Sequence, residues 1–127
     1  MEPIAVVMVL ALIEYFVFGM LAGRARVEAG IEAPATVGDH GFERHFRVQQ
    51  NTLEQLVIFL PALWIFGLYV HVLWGAGLGL VFVIGRAVYY RGYIEDPKKR
   101  SLGFLISLLA QTVLLLGGLV GAVISWV

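Results

Sequence analysis

The sequence predicts an all-α membrane protein, a bundle of four transmembrane helices forming one domain over residues 1–127. Three observations carry this. The chain is 60% hydrophobic with a mean hydropathy of +0.86, too apolar for a soluble domain. A spanning helix uses roughly 20 apolar residues at 1.5 Å rise each, so four spans consume most of 127 residues. All nine basic residues lie in two short windows, Arg24 to Arg47 and Arg86 to Arg100. Hydrocarbon does not solvate an ammonium or guanidinium, so such residues gather at helix ends, with the excess on the cytoplasmic side.

The first span is expected over about residues 4–23, ending at Arg24 and Arg26 and interrupted by Glu14. No Lys or Arg precedes it, so it reads as a retained helix rather than a secretory signal. Residues 28–41 are rich in Gly, Pro, Asp and Glu and predict an aqueous loop. A second helix should begin near Phe42 and cross over about 47–70, with Pro61 removing one backbone hydrogen bond and bending it. His71 to Gly75 predicts a tight uncharged turn into a third span over about 76–92, and Tyr69 and Trp74 suit an interfacial aromatic belt. Pro97 fits the first turn of a fourth helix, whose span covers about 102–126. Four crossings put loops 24–46 and 91–101 on one side, expected to be cytoplasmic, and both termini on the other. Gly19 with Gly23, Gly75 with Gly79, and Gly117 with Gly121 have the small-xxx-small spacing that permits close helix contact.

Polar side chains are not scattered over these helices. At about 100° per residue, Arg44, Arg47, Asn51 and Glu54 fall within a sector of about 80°, a polar stripe running from the second helix's start into the membrane. Arg86, Tyr89 and Tyr93 make a similar stripe on the third helix if it stays helical past the interface. Arg100, beyond Pro97, belongs at the same mouth. Several guanidiniums, two phenols, an amide and a carboxylate suit a small ligand with at least two carboxylates and an ammonium group, since arginine binds carboxylate bidentately. The same groups could instead satisfy one another as an interhelical ion-pair network, and residue chemistry leaves both readings open.

The stretch Gly38-Asp39-His40-Gly41-Phe42-Glu43-Arg44-His45-Phe46-Arg47-Val48-Gln49-Gln50-Asn51-Thr52-Leu53-Glu54 closely resembles the signature of the membrane-associated proteins in eicosanoid and glutathione metabolism, the MAPEG family. A second segment, Gly85-Arg86-Ala87-Val88-Tyr89-Tyr90-Arg91-Gly92-Tyr93 followed by Arg100, is similar to the stretch that closes the family's third helix and opens its fourth. The resemblance covers essentially the whole chain and points to the microsomal glutathione transferase type. It implies a homotrimer of four-helix protomers, with glutathione as co-substrate bound at each protomer interface near the cytoplasmic side. Carried over by position, Arg47, Asn51, Glu54, Tyr89 and Tyr93 would hold the tripeptide, with Arg44, Gln49 and Arg86 in support. Either Arg24 or Arg26, with Arg26 preferred, would reach the site from the first helix of a neighbour. Arg100 matches the arginine that stabilises the glutathione thiolate. Gln55 and Thr52 stand where leukotriene-forming members carry tyrosine and cysteine, so eicosanoid specificity is not implied.

The implied chemistry is attack of a thiolate on a hydrophobic electrophile arriving from membrane lipid, with peroxide reduction as a variant. Two rival functions use other residues or none. A small four-helix multidrug transporter would work through Glu14 and would lack the Arg-rich stripe; a non-catalytic lipid- or glutathione-binding member would lack Arg100. The absence of cysteine excludes disulfides and a cysteine nucleophile, so any reacting sulfur comes from the substrate. His40, His45 and His71 lack metal-ligand spacing, and no metal is expected. Lys98 and Lys99 suit contact with anionic lipid heads. No basic patch exceeds the interfacial excess, so a nucleic-acid partner is not expected.

Overall fold

The computed structural model describes all 127 residues, Met1 to Val127. Its helices are α1 (Glu2–Ala29), α2 (His40–Tyr69), α3 (Val72–Glu95) and α4 (Ser101–Trp126), the last entered through a 3₁₀ turn at Pro97–Arg100. All four are long and apolar enough to cross a membrane. Only 27 of 127 residues are buried, whereas large apolar side chains such as Phe16, Met20, Ile84 and Leu116 face outward. That surface suits lipid and not water.

Each helix end follows from local chemistry. Gly30 adopts a left-handed conformation, φ 69°, and lets its own N–H and that of Ile31 close back on Val27 and Arg26. Asp39 caps α2, its carboxylate accepting from the Phe42 N–H at 2.9 Å. Pro61 sits inside α2 without ending it. The expected turn over His71 to Gly75 is shorter than the sequence suggests. His71 Nδ1 accepts from the N–H groups of Leu73 and Trp74 at 3.1 and 3.2 Å, so Val72 to Gly75 already form the first turn of α3. At the basic end the helices overrun the expected spans, because the polar residues there continue the helix into the interface. Pro97 does open the approach to α4, as the first residue of the 3₁₀ turn.

Phe59 of α2 and Phe82 of α3 stack with centroids 3.8 Å apart at the centre of the main core, alongside Ile4, Val7 and Leu114. A smaller cluster of Phe18, Val48 and Tyr89 lies toward the basic end. Helices α3 and α4 meet backbone to backbone: a Cβ on Gly85 would stand 2.8 Å from the Ser107 nitrogen, and one on Gly103 would overlap the backbone of Tyr89. Of the three glycine pairs, Gly75 and Gly79 receive Ile4 and Val7, and Gly117 and Gly121 receive Phe66 and Val70, while Gly23 touches nothing. This packing brings both basic segments to one end of the bundle, where Arg44 of α2 reaches the last carbonyls of α3.

Candidate functional site

Asn51, Tyr89 and Arg100 converge on one groove of about 530 Å³, completed by Ser101, Phe104, Leu105 and Leu108. Three elements build it. Asn51 comes from the polar stripe of α2, and Tyr89, 4% exposed, from the face of α3 that packs on Gly103. Arg100 comes from the residue where the 3₁₀ turn passes into α4. Its Nη1 donates to the Pro97 carbonyl at 2.6 Å, which anchors one edge of the guanidinium. Its central carbon lies 6.0 Å from the centroid of Tyr93, within the outer range of a cation–π contact. The Tyr93 and Tyr89 rings are 5.6 Å apart. Cationic and hydrogen-bonding groups thus occupy one end of the groove, and three apolar side chains of α4 the other.

A second hollow of about 210 Å³ is lined by His40, Glu43, Arg44, Arg47, Tyr93 and Pro97, and its Tyr93 ring is the one 5.6 Å from Tyr89 of the first. Arg44 is committed to structure, since its Nη1 donates to the carbonyls of Ile94 and Glu95 at 3.1 and 3.3 Å. Arg47 is exposed on the wall.

Arg86 shares the face of Tyr89 but has no exposed surface. Its Nη2 donates at 2.8 Å to both Asn51 Oδ1 and Thr52 Oγ1, and its guanidinium carbon lies 4.1 Å from the Tyr89 centroid. It therefore braces two groove residues from behind. Thr52 is a buried hydrogen-bond partner of this wall that sequence reasoning missed; its only signal was a hydroxyl beside Asn51 in the mostly polar run Gln49 to Gln55.

Besides the buried Arg86, three expected site residues stand apart from both hollows within the chain. Glu54 is exposed on α2. Gln49 is half-buried with its amide nitrogen against Gly19 of α1. Arg26 ties down the α1–α2 loop: its Nη1 donates to the Ala35 carbonyl at 2.7 Å, and its guanidinium lies 4.5 Å from the Phe42 centroid. Arg24 pairs with Glu28 at 3.0 Å on the surface.

Comparison with known proteins shows the family. Residues 4–120 match the MAPEG family model. An uncharacterized protein of Synechocystis is 44% identical over 115 residues, covering 91% of this chain and 84% of that protein. Human microsomal glutathione S-transferase 2 is 39% identical over 118 residues, 93% of this chain and 80% of the relative. Guinea pig (Cavia porcellus) leukotriene C4 synthase is 33% identical over 112 residues, 88% and 75% of the two chains. With four membrane-length helices and a family match over nearly its whole length, this chain is an integral multi-pass membrane protein belonging to the MAPEG family.

Proposed function

We propose that the protein is a membrane-bound glutathione transferase in which Arg100 holds the glutathione thiolate for attack on hydrophobic electrophiles. The observation that carries this is the position of Arg100, at the junction between the polar end of the groove and its Phe104, Leu105 and Leu108 wall. Glutathione offers two carboxylates, an ammonium, two amides and a thiol. Arg47 and Tyr93 in the second hollow suit its carboxylates, and Asn51 and Tyr89 in the first suit its amides. Arg44 and Arg86 support this wall from behind through the bonds described above.

A thiol with pKa near 8.5 is mostly protonated at neutral pH, and the thiolate is the effective nucleophile. Lowering that pKa by about two units takes roughly 2.7 kcal/mol of differential stabilisation, within reach of one partly desolvated guanidinium. The thiol proton leaves to water. The sulfur lone pair then forms the new C–S bond as the leaving group departs with its electron pair. A peroxide would accept the same attack at oxygen: the O–O bond breaks, the alkoxide leaves and takes a proton from water, and the resulting glutathione sulfenic acid reacts with a second glutathione to give the disulfide and water. The apolar wall opens toward lipid, from which a water-insoluble electrophile partitions directly.

In this proposal the protein is a homotrimer with its basic end cytoplasmic, following the excess of Lys and Arg there. Glutathione sits between protomers, which gives the outward-facing Glu54 a neighbour to serve: Glu54 would accept from the ligand's ammonium. The test is conjugation of glutathione to a chloronitrobenzene by the detergent-purified protein. Saturable turnover that falls at least about 100-fold in Arg100→Leu, the loss typical of removing one preorganised electrostatic group, is the expected result. Saturable binding without turnover would make the protein a binding member of the family, and neither binding nor turnover would overturn the proposal.

A further inference from the structure

Glu14 lies near the midpoint of α1, where a carboxylate is expensive and needs a reason. Helices α1 and α3 run parallel, and their register is set by the Phe18 and Tyr90 rings, stacked 5.1 Å apart at 15°. Glu14 is four residues before Phe18, and Arg86 is four before Tyr90. One helical turn deeper on facing sides, the carboxylate and the guanidinium therefore lie at the same level. Their remaining polar atoms agree. Glu14 Oε1 and Arg86 Nε and Nη1 are all buried without a hydrogen-bond partner, while Arg86 spends Nη2 on Asn51 and Thr52. A guanidinium with no exposed surface inside a membrane bundle requires an anion, and Glu14 is the carboxylate at its level.

We infer that Glu14 is the counter-charge of Arg86, and that the pair is a positioning unit joining α1, α2 and α3 behind the glutathione groove. Two consequences reach the site. The guanidinium lies over Tyr89 at 4.1 Å and limits that ring's movement. Asn51 Oδ1 accepts from Arg86, which fixes the amide's orientation and leaves its NH₂ to donate into the groove. A donor aimed this way recognises a carbonyl or carboxylate of the ligand. Glu14 touches no substrate and acts through Arg86 and Asn51. It is a fixed part of the scaffold and not a proton carrier for transport.

The inference rests on the glutathione reading for its kinetic consequence, so its test has one readout that needs no glutathione. Glu14→Gln, Arg86→Gln, the double variant and Glu14→Asp are purified in detergent and compared with wild type by thermal unfolding and by both Michaelis constants. Unfolding midpoints of the two single variants should fall, and the double variant should fall by clearly less than their sum. Glu14→Gln should raise the glutathione KM about tenfold, the loss expected from one misplaced hydrogen bond of a charged network, and leave the electrophile KM unchanged. Glu14→Asp, which keeps the charge, should lie closer to wild type in glutathione KM than Glu14→Gln does. It also remains informative if the Gln variant does not fold. Additive unfolding losses, or a Glu14→Gln enzyme with wild-type glutathione KM, would overturn the pair or its positioning role respectively. A wild type that neither binds nor turns over glutathione would overturn the functional reading together with the kinetic half of this inference, while the unfolding cycle would still decide the pair.

Discussion

Arg44 donates through Nη1 to the Ile94 carbonyl at 3.1 Å, so a side chain from the first turns of α2 satisfies the end of α3. The last carbonyls of a helix have no partner in the helix itself, and the negative end of its dipole attracts a cation. Arg44→Leu should therefore cost about 1 kcal/mol, a partly solvated charged hydrogen bond at a helix end. Thermal unfolding in detergent micelles checks this. An unchanged midpoint would show that lipid or solvent satisfies those carbonyls equally well.

Gly103→Ala should be more damaging, because its Cβ would meet the Tyr89 backbone, which has no rotamer to yield. Forcing α4 from α3 should cost about 2–3 kcal/mol and move Arg100 away from Tyr89 and Tyr93. The unfolding midpoint and the glutathione KM should worsen together. Gly23→Ala, where nothing lies within 4 Å, is the matched control and should change neither within this chain.

His71→Ala removes the cap of α3 and should lose about 1 kcal/mol, while His71→Asn, which can also accept from those N–H groups, should keep most of it. Conjugation should be unaffected by either, since His71 lies at the end of the bundle opposite Arg100. A loss of activity at constant stability would contradict that separation.

Phe104 forms part of the apolar wall below Arg100. Phe104→Ala should raise the KM for a large aromatic electrophile about fivefold, corresponding to roughly 1 kcal/mol of lost apolar contact, and leave the glutathione KM as it was. Steady-state kinetics with each substrate varied in turn separates the two. Equal changes in both constants would mean that the wall serves general packing only.

Much of this architecture was legible because membrane physics writes it into composition. The four spans follow from hydropathy, and Asn51, Tyr89 and Arg100 reach one groove as their helical angles and the Pro97 break suggested. Depth was not legible. Helical spacing puts Arg86 on the same face as Tyr89 but does not say that it points inward to Thr52, because that depends on how closely α2 approaches α3. Nor does it show that Arg26 is spent on the Ala35 carbonyl, since the intervening loop has no periodicity to reveal its path. His71 read as part of a turn because an imidazole cap has no simple spacing rule. Nor does spacing along α1 name a partner for Glu14, since the register of α1 against α3 depends on the Phe18–Tyr90 stack.

The most direct measurement is the ultraviolet thiolate absorbance of glutathione titrated into the detergent-purified protein at neutral pH, with wild type and Arg100→Leu compared at equal occupancy. Wild type is expected to develop a saturable thiolate band. Arg100→Leu should bind glutathione with little change in affinity yet show the band only at a pH about two units higher, the shift assigned to one guanidinium. An Arg100→Leu protein whose bound glutathione ionises as readily as in wild type would contradict the role given to Arg100.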